Sequence, residues 1–164
     1  MIINKIIPDI IDNNYHGNKL ALYVFYFLTM VTVVRSCIHL FAADGGAQSI
    51  ATIPLDAFPT TAADTVIFVF ALWGLSQLLF ALFYVIVAVK IKSMIPLMYL
   101  FILVEYLGRL GIGLTKSLTT TGTAPGSIGN YIFISIASIM LFLSQRNKGD
   151  KSQSQLNQAV KDEK

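Results

Sequence analysis

The sequence predicts an all-α integral membrane protein, a four-helix bundle with a long outer loop between its first and second helices. Hydrophobic residues make up 55% of the 164-residue chain and charged residues only 13%, well away from the ~25% charged content of soluble domains. The apolar residues are gathered into four runs, each near the ~20 residues that cross ~30 Å of hydrocarbon. The Lys and Arg residues collect in connections and tail on one side of those runs, as in a chain oriented by retention of positive charge in the cytoplasm.

Residues 1–19 form a cytoplasmic or interfacial segment. Ile2, Ile3, Ile6, Ile7, Ile10 and Ile11 recur at helix-like spacing with Lys5, Asp9 and Asp12 between them, a pattern suited to lying flat in the headgroup layer. Pro8 argues against one continuous helix there, because an interior proline loses a hydrogen bond and clashes with the preceding turn. The membrane domain spans 20–145. Its first helix is expected over 20–42; this run is longer than the ~7–15-residue core of a signal peptide and is followed by no small-residue cleavage pattern, so it reads as a retained span.

After it, Asp44-Gly45-Gly46 is a turn signal, Pro54 and Pro59 are breakers, and Ile50, Ile53, Leu55 and Phe58 are apolar, so this connection should pack on the bundle. The second helix is expected over 64–89 and the third over 94–114. Lys90-Ile91-Lys92-Ser93 leaves almost no linker between them, which demands an antiparallel hairpin. Pro96 falls in the first turn of the third helix, where its missing N–H costs nothing. Residues Thr115 to Gly126 are rich in Thr and Gly and read as a flexible loop before a fourth helix over 127–144. The tail, 146–164, is polar and lacks aromatics, the composition of a cytoplasmic, weakly ordered segment.

Orientation follows from Lys5, Lys19, Lys90, Lys92, Arg146, Lys148, Lys151, Lys161 and Lys164 on one side against Lys116 on the other. Both termini are then cytoplasmic. The Lys residues and Arg146 lie in these loops and the tail, so their partner is the anionic headgroup layer of the lipid bilayer and not nucleic acid. Cys37, the single cysteine, excludes an intrachain disulfide and a multi-cysteine metal site.

Four ionisable residues interrupt the apolar helices: Arg35 and His39 in the first, Glu105 and Arg109 in the third. Each costs about 2.5–3.5 kcal/mol to insert, so such groups pair, face the bundle interior or line a polar cavity. A spacing of four puts Arg35 with His39, and Glu105 with Arg109, on common faces. At ~1.5 Å per residue, Arg35 lies roughly 22 Å from the cytoplasmic end, Glu105 roughly 14 Å and Arg109 roughly 20 Å. One carboxylate between two guanidinium groups leaves a positive surplus fit for an anionic or electron-rich group.

Trp73 and Gln77 in the second helix, and Tyr131, Ser135 and Ser138 in the fourth, offer polar positions at compatible depth, with Thr32 extending the first helix's face. If these stripes converge, they enclose an outward-facing pocket with apolar residues beneath it. Two competing readings are an ion-pair network that only fixes helix register, and snorkelling of Arg35 and His39 to the headgroups. His39 and Asp44 fall short of a metal coordination set, so no metal is expected. Gly108, Gly111 and Gly113 are expected to allow close helix contact, or else to leave room for a ligand.

The plan of an Arg in the first helix, Asp44-Gly45-Gly46 after it and Glu105-Tyr106-Leu107-Gly108-Arg109 in the third helix resembles the small four-helix bacterial membrane proteins grouped around the DoxX-like families, over roughly residues 20–145. That resemblance implies the bacterial inner (plasma) membrane and a redox-associated or accessory role. It supplies no catalytic residue and no cofactor. The residues leave three functions open: binding of a lipid headgroup or quinone-like molecule, an enzyme with Glu105 as general acid or base, and a small proton-coupled transporter. A membrane-protein partner or a second copy of the chain could complete the pocket in any of them.

Overall fold

The computed structural model describes residues 6–116 and 118–146. The expected tail from 147 onward, and Ile2, Ile3 and Lys5 of the N-terminal segment, lie outside them. The described residues form four long helices and no strand: α1 over Lys19–Phe41, α2 over Thr60–Lys90, α3 over Ile95–Thr115 and α4 over Pro125–Ser144. All four are long and apolar enough to cross a membrane, which makes the chain a multi-pass membrane protein.

Local chemistry sets the helix ends. The Asn18 side chain caps α1 by accepting from the Leu20 N–H at 2.9 Å. Pro59 precedes α2, whose first turn is Thr60-Thr61-Ala62-Ala63. Those residues read as loop in the sequence, yet the helix begins four positions before Asp64, because Pro59 fixes the entry and small residues continue the turn. A 31-residue helix is ~46 Å long, so α2 must tilt or project beyond the hydrocarbon. Pro96 sits in the first turn of α3, as its spacing requires.

A 3-10 turn, Lys92–Met94, joins α2 to α3, but these neighbours touch little. The extensive contacts run between α1 and α2 and between α3 and α4, with α1 also against α4. The main core fills the end of the bundle where the described termini lie. There Phe25 meets Tyr84 and Tyr99 edge to face at 5.9 and 5.8 Å, and the Tyr99 hydroxyl donates to the Ala21 carbonyl at 2.6 Å. Ile95, Met98, Ile102 and Ala137 complete the layer.

Within the described residues, the stretch after Ile7 does not form the flat amphipathic helix its isoleucines suggest. Residues 8–18 cross the termini end largely without helix. Asp12 N–H donates to Ser93 Oγ at 3.0 Å, Ser93 Oγ donates to the Asp12 carbonyl at 2.9 Å, and Asn18 N–H reaches the Leu143 carbonyl at 3.2 Å. Pro8 cannot continue a helix from the residues before it, and these bonds tie down the stretch that follows.

At the opposite end, hereafter the loop end, the α1–α2 connection packs as expected: Ala47, Ile53 and Leu55 are buried against Ala63, Val66, Ile67 and Phe70 of α2. Gly45 and Gly46 take φ of 60° and 73°, which favours glycine, and the Asp44 carboxylate accepts from the N–H groups of Gly46, Gln48 and Ser49 at 2.7–3.1 Å. Burial pushes the Asp44 carboxyl up, but the N–H groups of Ser49, Gly46 and Gln48 outweigh it and hold the group at about 2.

The α3–α4 connection is pinned to the α1–α2 connection. The Thr52 carbonyl accepts from Thr121 N–H at 2.9 Å and Thr121 Oγ1 at 3.2 Å, while Thr52 Oγ1 donates to the Gly122 carbonyl at 3.0 Å. Thr52 adopts φ 57°, an uncommon state for a β-branched residue that turns its carbonyl into this clasp.

Candidate functional site

Above the aromatic core, toward the loop end, α1, α2 and α3 bring a charged cluster together. Arg35 stands 16 residues into α1, Gln77 13 residues before the end of α2, and Glu105 and Arg109 10 and 14 residues into α3. At ~1.5 Å per residue, Glu105 lies about 15 Å from the termini end, near mid-bilayer, and the other three about 20–24 Å from it.

Arg35 is the hub. Its Nε donates to Gln77 Oε1 at 3.0 Å, its Nη1 to the Tyr106 hydroxyl at 2.8 Å, and its Nη2 lies 3.8 Å from Glu105 Oε1. Arg109, one turn along α3 from Glu105, donates to the same carboxylate oxygen through Nε at 3.0 Å and also through Nη2. Its guanidinium carbon sits 4.8 Å from the centre of the Trp73 ring and 5.6 Å from that of Tyr106. Tyr106 in turn stacks on Phe133 of α4 at 4.7 Å, so the cluster is braced by all four helices.

Two properties suggest a ligand site. Two guanidinium groups against one carboxylate leave a surplus positive charge, and the side chains of Arg35, Glu105 and Arg109 are 25%, 33% and 21% exposed. Gln77 is only 6% exposed, yet its Nε2 is buried without a hydrogen-bond partner. The amide cannot simply be turned round, since Arg35 Nε requires the acceptor oxygen where it is. A buried donor left unpaired costs about 1–3 kcal/mol.

The expected residues divide into three groups. Arg35, Gln77, Glu105 and Arg109 come together. Trp73 lies at the edge of the cluster, between Arg109 and His39, whose ring centre is 4.6 Å from its own. His39 itself faces the loop: Nδ1 donates to the Gly45 carbonyl at 2.8 Å, and Phe70 packs edge-on at 5.7 Å. Tyr131, Ser135 and Ser138 stay outside. Tyr131 is 61% exposed, and Ser135 and Ser138 are exposed with their hydroxyls turned back onto the carbonyls of Tyr131 and Ile134. The buried face of α4 instead carries Ala137, Met140 and Ser144. Thr32 also bonds its own helix, at the Leu28 carbonyl.

Tyr106 and Gly74 escaped the sequence reading. Tyr106 follows Glu105 directly and supplies the acceptor for Arg35, a role that buried tyrosines at apolar–polar boundaries commonly take. Gly74 lets α1 and α2 close together: a Cβ there would lie 2.7 Å from His39 Cβ and 2.8 Å from Leu40 N. The close contact expected of Gly108, Gly111 and Gly113 is absent, since a Cβ at each meets nothing within 4 Å. All three are exposed on the surface of α3, so it is Gly74 that serves packing. Among the described residues no group of three His, Cys, Asp or Glu side chains is placed to hold a metal ion.

Comparison with protein families, with curated proteins and with solved structures finds no match for this chain.

Proposed function

We infer that this protein binds a small amphipathic or anionic molecule, such as a lipid headgroup or a quinone-like compound, at Arg35, Arg109 and Gln77. The observation that carries the reading is the buried, unpartnered Gln77 Nε2 beside a cluster with one surplus positive charge. An acceptor oxygen on a ligand would satisfy both at once. The partial exposure of the three charged side chains adds to it, because charge facing hydrocarbon is expensive and a polar occupant relieves that cost.

The Lys and Arg distribution supports a setting in the plasma membrane with both termini cytoplasmic and the site opening in the outer leaflet. The likeness to DoxX-like proteins adds an accessory role in a redox-associated complex, on sequence grounds alone. Purified protein titrated with phosphatidylglycerol in a neutral detergent tests the binding. Arg35→Ala and Arg109→Ala should each weaken it at least tenfold while still inserting; unchanged affinity in both would remove the site.

The exposed third of the Glu105 side chain, near mid-bilayer, favours a second reading in which this carboxylate moves a proton, in an enzyme acting on a lipophilic substrate or in a small transporter. A Glu105→Gln variant that kept binding but lost turnover or proton-driven uptake would select it.

A further inference from the structure

We propose that the ligand is a phosphate-bearing membrane lipid that enters sideways from the bilayer past Gly108, a step that rests on the anion-binding reading above. The phosphate oxyanion matches the cluster chemically, but the same group could arrive on a lipid or on a soluble molecule. The two sources would need different doors, and the protein treats those doors differently.

A soluble anion would approach from the loop end. There the Thr52 carbonyl and hydroxyl tie the α1–α2 connection to Thr121 and Gly122 through three hydrogen bonds, joining the two helix pairs between which the cluster lies. Among the described residues the lateral approach carries no such tie. Glu105, Gly108, Arg109 and Ile112 share one face of α3 at helical spacing, so Gly108 borders the charged cluster directly. A Cβ at Gly108 would meet nothing within 4 Å from other helices or from Glu105, which leaves open space on this flank of α3.

Toward mid-bilayer the same flank continues through Val104 and Phe101, four and seven residues before Gly108, which are 59% and 40% exposed. A lipid phosphate at Arg35, Arg109 and Gln77 could therefore run an acyl chain across Gly108 and down this apolar strip. Charge complementarity selects an anionic head, since the cluster is positive overall and Gln77 Nε2 adds a donor. The depth fits as well: the arginines draw the head roughly two turns below the loop-end surface, as snorkelling arginines do when they thin a bilayer locally.

The test uses the full chain in nanodiscs of phosphatidylcholine with one-fifth phosphatidylglycerol, and reads retained lipid by native mass spectrometry. Three proteins are compared: wild type, Gly108→Phe, and a Thr52→Cys/Thr121→Cys pair joined by a bismaleimide in a Cys37→Ser background. Glycerol 3-phosphate serves as the soluble probe. Gly108→Phe should cut phosphatidylglycerol retention at least tenfold with an unchanged unfolding midpoint, because the added ring enters open space. The crosslink should leave retention intact, and glycerol 3-phosphate should not displace the lipid. Full retention in Gly108→Phe would overturn the lateral route, as would glycerol 3-phosphate binding that the crosslink blocks; in both cases the anion site itself would stand. A wild type that retains neither probe would instead overturn the anion-binding reading.

Discussion

Replacing Gln77 with methionine separates a binding role for the cluster from a purely structural one. Methionine matches glutamine in length and can neither donate nor accept a conventional hydrogen bond. In the unliganded protein the change removes one bond, from Arg35 Nε to Gln77 Oε1 at 3.0 Å, worth about 1.5–3 kcal/mol because the donor is charged. It also removes the buried, unpartnered Nε2, which costs about 1–3 kcal/mol. Arg35 keeps its bond to Tyr106 and its proximity to Glu105. The two effects offset each other, so stability should change by no more than about 2 kcal/mol in either direction.

Binding has no such compensation. A ligand oxygen that accepts from Nε2 loses a charge-assisted bond of about 1.5–3 kcal/mol, or about 10- to 100-fold in affinity. The assay pairs denaturant unfolding in detergent with a phosphatidylglycerol titration of the same sample. A variant destabilised by more than about 3 kcal/mol with unchanged affinity would refute the reasoning, since Gln77 would then serve only to hold Arg35.

Tyr106→Phe should cost about 1–3 kcal/mol by removing the acceptor for Arg35 Nη1 while keeping the stack on Phe133, and unfolding measurements check it. Gly74→Ala should destabilise by about 1–3 kcal/mol because its Cβ meets α1 backbone, whereas Gly108→Ala should be neutral or stabilising by up to about 1 kcal/mol; the same unfolding series compares them. Asp44→Ala should loosen the α1–α2 connection by about 1 kcal/mol at neutral pH, by analogy with a lost helix cap. The Asp44 carboxyl is held below its ordinary value, so its stabilisation is full above that value and disappears as pH falls through about 2. Wild type and Asp44→Ala should therefore converge in acid, and hydrogen exchange at Gly46 and Ser49 reports it.

The helices were legible because hydrophobic length and breaker residues are local properties. Pro96 marked the start of α3, and the ends of α1 and α4 fell within two residues of their expected positions. The convergence of Arg35, Glu105 and Arg109 was legible too, because depth follows from residue counting and four-residue spacing from the helix itself. Rotational phase was not. In α4 the apolar residues surround the helix, so the sequence does not say that Ala137, Met140 and Ser144 face inward and Tyr131 and Ser135 do not. The same ambiguity hid which glycines pack: Gly74 and Gly108 read alike until the neighbouring helix is in place. The Thr- and Gly-rich α3–α4 connection looked flexible because nothing local announces a partner 69 residues away at Thr52.

The central claim is that the unpaired Gln77 donor and the two arginines hold a ligand's anionic group. A high-resolution structure of the protein extracted with its native lipids tests this most directly. The account predicts density for a phosphate-bearing head with an oxygen within hydrogen-bond distance of Gln77 Nε2 and of the Arg35 or Arg109 guanidinium. A cluster holding only water, with lipid heads confined to the bilayer surface, would contradict it.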